Sequence, residues 1–287
     1  MDSKQENRTG WLLASPYVVY FLLFSGFPIV FSLFLVFHRW DIISPMKFIG
    51  LVNFEYLIHD PLFWKSLWNT LRFLFIHIPL QVVVALILAE VLNRKIRGLM
   101  FFRAAFFLPV VISGVVVTIL WKQLYSTETG LINLFLSDIG LPKMPWLTNV
   151  TLAMPSIAIM ATWKNVGLYT VLFLAGLQGI PKYLYEAAEM DGASKVQQFF
   201  YITVPAINPV LLMVVILSTI NGFNLFIEPY VMTGGSPLNS TLSVVLYIYK
   251  QAFSFYKMGY AATLGFVFAL MIFSVVLVQR RVLERED

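Results

Sequence analysis

No cysteine occurs anywhere in the 287 residues, which excludes disulfides, thiolate nucleophiles and Cys-held zinc or iron–sulfur clusters. Histidine is nearly as scarce. His38, His59 and His77 are scattered, with none of the close ligand spacings of a metal or haem site, and none is expected. Charged residues make up only 12% of the chain, against about 25% in a soluble domain, too few to cover a water-facing surface. There is no Gly-rich phosphate loop of the Walker kind and no nucleophile paired with a base. The sequence therefore offers no catalytic residue, no metal site and no cofactor site of its own.

What is present is apolar. Hydrophobic residues make up 59% of the chain and the mean hydropathy is +0.79. A helix needs about 20 apolar residues to cross about 30 Å of hydrocarbon, and six stretches qualify, 11–37, 69–91, 101–121, 153–178, 206–227 and 261–279. Several contain a proline (Pro28, Pro79, Pro109, Pro155, Pro209), which membrane helices tolerate because neighbouring groups re-satisfy the freed carbonyls. The expectation is an all-α polytopic membrane protein, with residues 1–287 forming a single transmembrane domain of six helices. Met1–Gly10 is polar, and the apolar stretch behind it is too long for the core of a signal peptide. It is expected to be a retained first helix.

The net charge of +5 is placed for a membrane and not for a nucleic acid. Arg94, Lys95, Arg97 and Arg103 crowd the connection 92–103, and Arg280, Arg281 and Arg285 close the chain. With six spans these fall on one side, together with Lys4, Arg8 and the loop 180–203. The opposite loops, 38–66, 122–152 and 228–260, are poorer in positive charge and rich in residues such as Trp40, Trp64, Trp68 and Trp146. The positive-inside rule makes both termini and the 180–203 loop cytoplasmic, and the aromatic loops suit the outer interface.

The loop 180–203 carries a short amphipathic helix. Pro181 suits a helix start, and Leu184, Ala187, Ala188 and Asp191 follow at spacings of three and four, which predicts one shared face. Glu186 and Glu189 favour the positive end of the helix dipole, Gly192 supplies a turn, and Ile202 and Pro205 lead into the next span. An ordinary solvated interfacial helix is the plain reading of such a segment.

Polar residues inside spans are functional candidates by default. Asn221 and Asn224 lie three apart, on one helical face, with Phe223 between them, and their amides can both donate and accept hydrogen bonds. Trp163, Asn165 and Tyr169 form a second set. Such groups also bond helix to helix. Arg72 and Lys164 are expected to snorkel to an interface, or else to meet an anionic solute. His77 reads as a hydrogen-bonded packing residue, Glu90 as a screened partner of Arg94, and Glu228 as a cap on a path or a contact to another subunit.

Taken together, Leu177-Gln178-Gly179-Ile180-Pro181, Tyr185-Glu186-Ala187-Ala188, Met190-Asp191-Gly192-Ala193 and Ile202-Thr203-Val204-Pro205 resemble the permease subunits of carbohydrate-type bacterial ABC importers. Phe102-Arg103 with Leu108-Pro109, and Trp121 through Gly130 to Asn133, are similar to the same family. Phe48-Ile49-Gly50-Leu51-Val52-Asn53-Phe54 resembles the first of two paired permeases of maltose- or glycerol-phosphate-type importers. Val204 departs from the family's usual Leu. The resemblance implies a type I importer permease fold and a place in the bacterial or archaeal cytoplasmic membrane. It implies half of a path for sugars or oligosaccharides, with a second permease, two ATP-binding subunits that carry ATP and magnesium, and an external solute-binding protein. Glu186, Ala187, Ala188, Asp191, Gly192, Ile202 and Pro205 would then couple to the ATPase, and Asn221, Asn224, Phe223, Trp163, Asn165 and Tyr169 would be candidates for the solute path. An anionic sugar derivative is the alternative solute. A stand-alone secondary transporter is a further alternative, but such folds show internal repeats and midplane carboxylates, and neither is evident.

Overall fold

The computed structural model describes residues 3–94 and 98–283. Lys95, Arg97 and Arg285, three of the cations weighed for orientation, lie outside the described residues. Among the described residues the chain is mostly helical, with one two-stranded ladder. It divides into two compact units, one formed by the chain up to Asp60 with Ile248–Leu270, the other by Pro61–Tyr247 with the chain from Met271 on.

The first unit opens on α1 (Ser3–Phe21), which passes through a five-residue π-helical turn, Leu22–Gly26, into α2 (Phe27–Leu35). Pro28 sits in the first turn of α2, where its missing N–H costs little, and the wider π turn falls just ahead of it. The stretch Gly10–Leu35 is long and apolar enough to cross a membrane. Beyond it, β1 (His38–Arg39) pairs antiparallel with β2 (Lys47–Phe48), and α3 (Val52–Ile58) follows. The side chain of Asn53 is buried and donates to the carbonyls of Val36 (2.8 Å) and His38 (3.1 Å), so the ladder is fixed to the end of the first span.

The second unit is built on α4 (Pro61–Asn93), α5 (Leu99–Val111), α6 (Gly114–Leu124), α7 (Leu131–Asp138) and α8 (Ala153–Gln178). Three short helices, α9 (Lys182–Met190), α10 (Lys195–Gln198) and α11 (Val204–Ala206), lead to α12 (Asn208–Phe223), α13 (Ile227–Met232) and α14 (Val244–Tyr249). The last helix, α15 (Met258–Leu283), runs from the first unit into the second. The packed centre joins α4 to α8 through Ala85, Ala89, Phe173, Leu177 and their neighbours. Lipid is as apolar as these side chains, so close packing and hydrogen bonds hold such a bundle together more than exclusion from water does. Gly167 on α8 illustrates this, since a Cβ there would overlap the backbone of Phe106 on α5. Asn133 on α7 is wholly buried and anchors the segments on either side of that helix. It donates to the carbonyls of Ser126, Thr127 and Met144 and accepts from Met144 N–H and Trp146 Nε1–H.

Among the described residues five helical stretches are long and apolar enough to span a membrane: Gly10–Leu35, Pro61–Asn93, Ala153–Gln178, Asn208–Met232 and Met258–Val282. The predicted span 101–121 is different. It is two helices, α5 and α6, bent by 99°. The break comes at Ile112 and Ser113, whose backbones are extended (ψ 143° and 128°), and not at Pro109, which lies inside α5. A sixth crossing exists only if this bent pair counts as one. Arg103, expected in a connecting loop, lies within α5.

Candidate coupling loop and intramembrane polar cluster

The loop after α8 folds as expected but presents a different face. Pro181, at φ −63°, starts α9. Leu184 and Tyr185 pack on the core cluster around Leu177 and Ile180, and Ala188 is half-buried. The hydroxyls of Tyr185 and Thr203 lie 2.9 Å apart, which ties the helix to the segment entering α12. The predicted face of Leu184, Ala187, Ala188 and Asp191 is therefore divided, because its leucine is needed for the core. Lys182, Tyr183, Glu186, Ala187, Glu189 and Met190 are exposed, and among them Tyr183, Glu186, Ala187 and Met190, at i, i+3, i+4 and i+7, form one row of the helix.

The helix ends on Asp191 and Gly192. Gly192 has φ +77°, a left-handed conformation in which glycine is favoured. Its N–H donates to the Glu189 carbonyl (3.1 Å), and Ala193 N–H donates to the Ala188 carbonyl (2.8 Å), the paired bonds of a Schellman end. Ser194 and Gln197 then form a capping box, each side chain accepting from the other's backbone N–H. Lys195 ion-pairs with Glu189 across the turn, and this cation holds the Glu189 carboxyl below its ordinary value of 4.5. The pair is exposed, so it organises the turn more than it stabilises the protein. Ile202 is half-buried in the π-helical turn Phe199–Thr203, and Pro205 is exposed on α11. Val196, Phe200 and Tyr201 add exposed apolar surface to the same loop.

Within the spans, the structure joins two of the predicted polar residues. Asn221 Nδ2 on α12 donates to the Tyr169 hydroxyl on α8 at 3.1 Å. Tyr169 is buried, whereas Asn221 is exposed. The other candidates have other contacts. Asn224 donates to its own helix at Ile220 and is exposed, and Asn165 donates to Ala161. Trp163 lies against Trp121, with ring centroids 5.4 Å apart, and Phe223 is buried in the packed interior.

The charged residues find specific partners. Lys164 does not stand alone, because its Nζ lies 3.4 Å from Glu228 Oε1. Glu228 is thus paired within the chain, and not left as a bare cap. Arg72 donates to the Thr151 carbonyl at 2.8 Å. His77 is buried, bonded to Thr162 (2.9 Å) and stacked on Phe73, the packing role its sequence position suggested. Glu90 and Arg94 form an exposed pair at 3.9 Å. Gln81 was not foreseen. It is fully buried on the α4 face that carries Ala85 and Ala89, and neither amide atom has a hydrogen-bond partner among the described residues. An amide in the run Pro79-Leu80-Gln81-Val82 gives no local signal of such burial. Among the described residues no group of three or more His, Cys, Asp or Glu is placed to hold a metal.

This arrangement, apolar helices long enough to cross a bilayer with a short amphipathic helix hung between two of them, defines a multi-pass integral membrane protein. Residues 6–286 match the family described as binding-protein-dependent transport system inner membrane component, and the chain belongs to that family. It is 40% identical over 282 residues to the probable ABC transporter permease protein YurN of Bacillus subtilis, covering 96% of each chain. It is 39% identical over 269 residues to the lactose transport system permease protein LacF of Rhizobium radiobacter, covering 92% of this chain and 90% of that one. The fold matches a chain of the bacterial alginate ABC transporter crystallised with an alginate pentasaccharide-bound periplasmic protein. There the TM-score is 0.82 with 23% identity, and all of both chains is covered. The chain is thus a transport component of the inner membrane, with the type I ABC importer permease fold.

Proposed function

We propose that this chain forms half of the translocation path of a binding-protein-dependent ABC importer for sugars or oligosaccharides, and couples to an ATPase subunit through the Glu186–Pro205 loop. The observation that carries the reading is the exposed row Tyr183, Glu186, Ala187 and Met190 on a short helix closed at its C-terminal end by its own hydrogen bonds and tied to the spans by Tyr185 and Thr203. A small, stiff helix with a part-apolar outer face transmits a push from a partner. Both ATP hydrolysis and the magnesium it needs belong to two partner subunits, and a second permease completes the path. Solute arrives on an external binding protein, and transport requires that ATP and that protein favour the same state of the spans. The loop and both termini face the cytoplasm in this reading, as the cationic connections require. The whole chain acts as one transmembrane domain.

For the solute, Asn221 and Tyr169 offer an amide and a hydroxyl, which suit neutral sugar hydroxyls. The relative LacF, which shares 39% of its aligned residues, is named for lactose transport. An anionic sugar would need Arg72 or Lys164, and each is already engaged, by the Thr151 carbonyl and by Glu228. Affinity purification of the tagged chain in mild detergent, with mass spectrometry of what accompanies it, tests the assembly. An ATP-binding subunit and a second permease are expected. Recovery of the chain alone, still competent for transport driven by an ion gradient, would make it a secondary carrier.

A further inference from the structure

A cavity of about 340 Å3 lies wholly within the unit formed by the chain up to Asp60 and Ile248–Leu270. The rings of Trp40, Tyr56 and Tyr260 wall it, and two cations, Arg39 and Lys257, line it. The backbone joins the two segments that carry the cations, because Met258 N–H donates to the Trp40 carbonyl at 3.0 Å. The buried Asn53 holds the opposite wall through its bonds to Val36 and His38.

The charges lining this cavity do not balance. Asp41 also borders it, but its carboxylate serves its own turn. Oδ1 accepts from the N–H groups of Ile43 and Ser44, and Oδ2 from the Ser44 hydroxyl. Asp60 accepts from the Tyr260 hydroxyl at 2.5 Å. Among the described residues neither Arg39 nor Lys257 has a carboxylate within ion-pair distance. Lys257 Nζ instead lies over the Tyr56 ring, 5.5 Å from its centroid, a modest cation–π contact. Lys47 stands directly across the ladder from Arg39 and adds to the positive field. A pocket lined by two exposed cations and by one carboxylate already held in its own turn carries a net positive charge and favours an anion.

Its level in the fold names the kind of anion. Lys257 immediately precedes Met258, where the last span begins, and Arg39 follows Leu35, where the first span ends. Both cations therefore lie where hydrocarbon gives way to headgroups. The surrounding ladder and loop expose Ile43, Phe48 and Leu51, large apolar side chains that suit contact with lipid and that a water-facing surface rarely clusters. We propose that this cavity binds the phosphate group of a membrane phospholipid, with Arg39 and Lys257 on the phosphate oxygens and the aromatic rings beside the glycerol. The site depends on the membrane placement of the chain and is independent of which solute is carried.

The test uses the full chain, purified with its partners, stripped of lipid and then titrated with phosphatidylglycerol in mixed micelles. Retained phospholipid is counted by native mass spectrometry, and thermal unfolding is followed in parallel. Wild type is expected to retain a phospholipid that the Arg39→Gln/Lys257→Gln variant loses, and the variant should need at least about tenfold more lipid for the same stabilisation. Lys143→Gln, a surface change in the other unit, should behave as wild type. If the double variant fails to insert, Lys257→Gln alone carries the comparison. Equal retention by wild type and variant overturns the site. Stabilisation by inorganic phosphate as effective as by lipid would make it a free-anion site. Loss of binding-protein capture without any lipid effect would reassign it to an acidic protein surface.

Discussion

The ammonium of Lys164 and the carboxylate of Glu228 lie 3.4 Å apart, with only 15% and 12% of their side chains exposed. Removing one member of so covered a pair leaves a bare charge in a poor solvent, at a cost of about 3–5 kcal/mol, whereas replacing both members by apolar residues is often neutral. Lys164→Met and Glu228→Gln are each expected to lower the melting temperature in detergent and the yield of inserted protein. Lys164→Met with Glu228→Met should recover most of both. Strictly additive losses would show that the two residues do not form an energetic pair.

Two glycines on neighbouring helices make a sharp contrast. A Cβ at Gly114 would come 2.8 Å from Lys164 Nζ, the far end of a flexible side chain. A Cβ at Gly167 would meet the carbonyl oxygen and backbone of Phe106, which cannot step aside. Gly167→Ala should therefore destabilise by about 1–3 kcal/mol, the usual cost of overpacking, and Gly114→Ala by less. Thermal melts of the two purified variants decide it. Equal effects would mean that α5 is free to shift away from α8.

Hydropathy made the spans legible because crossing a bilayer sets a length that a sequence displays directly. Ala153–Gln178 falls where the apolar run predicts it. The bend at Ile112 and Ser113 was not legible, because neither residue is a helix breaker and the nearby Pro109 misdirects. The coupling segment was legible as a helix with a glycine stop. Its outward row was not, since whether Leu184 or Tyr183 faces the core depends on Leu177 and Ile180, which lie a turn or more earlier in the chain. In the same way, Lys164 and Glu228 are 64 positions apart in sequence, and no local pattern announces their contact.

Gly192 adopts φ +77° with no heavy atom within 4 Å of where a Cβ would lie. Substitution there meets backbone strain and not a clash, about 1–2 kcal/mol for an ordinary residue and less for asparagine or aspartate, so the added charge at this exposed position, and not strain, distinguishes aspartate from asparagine. Gly192→Asp is expected to leave the chain inserted in the membrane and to abolish ATP-driven uptake, while Gly192→Asn retains a substantial part. Uptake by Gly192→Asp at the wild-type rate would remove the loop from the coupling route.

Acid should loosen the same loop. Lys195 lowers the Glu189 carboxyl below its ordinary value of 4.5, so whatever the pair contributes is fully present above that value and is lost as pH falls through the lowered one. Hydrogen exchange of the Ser194–Gln198 amides, corrected for the intrinsic pH dependence of exchange, should show weaker protection on acidification below the ordinary carboxylate range. Glu189→Gln should show that weaker protection already at neutral pH and little further change. An unchanged pH response in the variant would assign the effect to another carboxylate.

The Asn221 amide and the Tyr169 hydroxyl, joined at 3.1 Å, pose the choice between a structural bond and a solute contact. A bond that merely holds α8 to α12 is worth about 0.6 kcal/mol in a membrane protein, so a structural role predicts a small loss of stability and normal uptake. A solute contact predicts the reverse. Asn221→Ala would then slow uptake by about tenfold, the equivalent of one hydrogen bond to a sugar hydroxyl, while solute affinity of the external binding protein stays unchanged. Tyr169→Phe sharpens the distinction, because it removes the acceptor of the Asn221 bond and leaves the amide free. If the amide serves the solute, Tyr169→Phe should reduce uptake less than Asn221→Ala does. Equal losses of stability in the two variants, with uptake intact in both, would return the pair to a purely structural role.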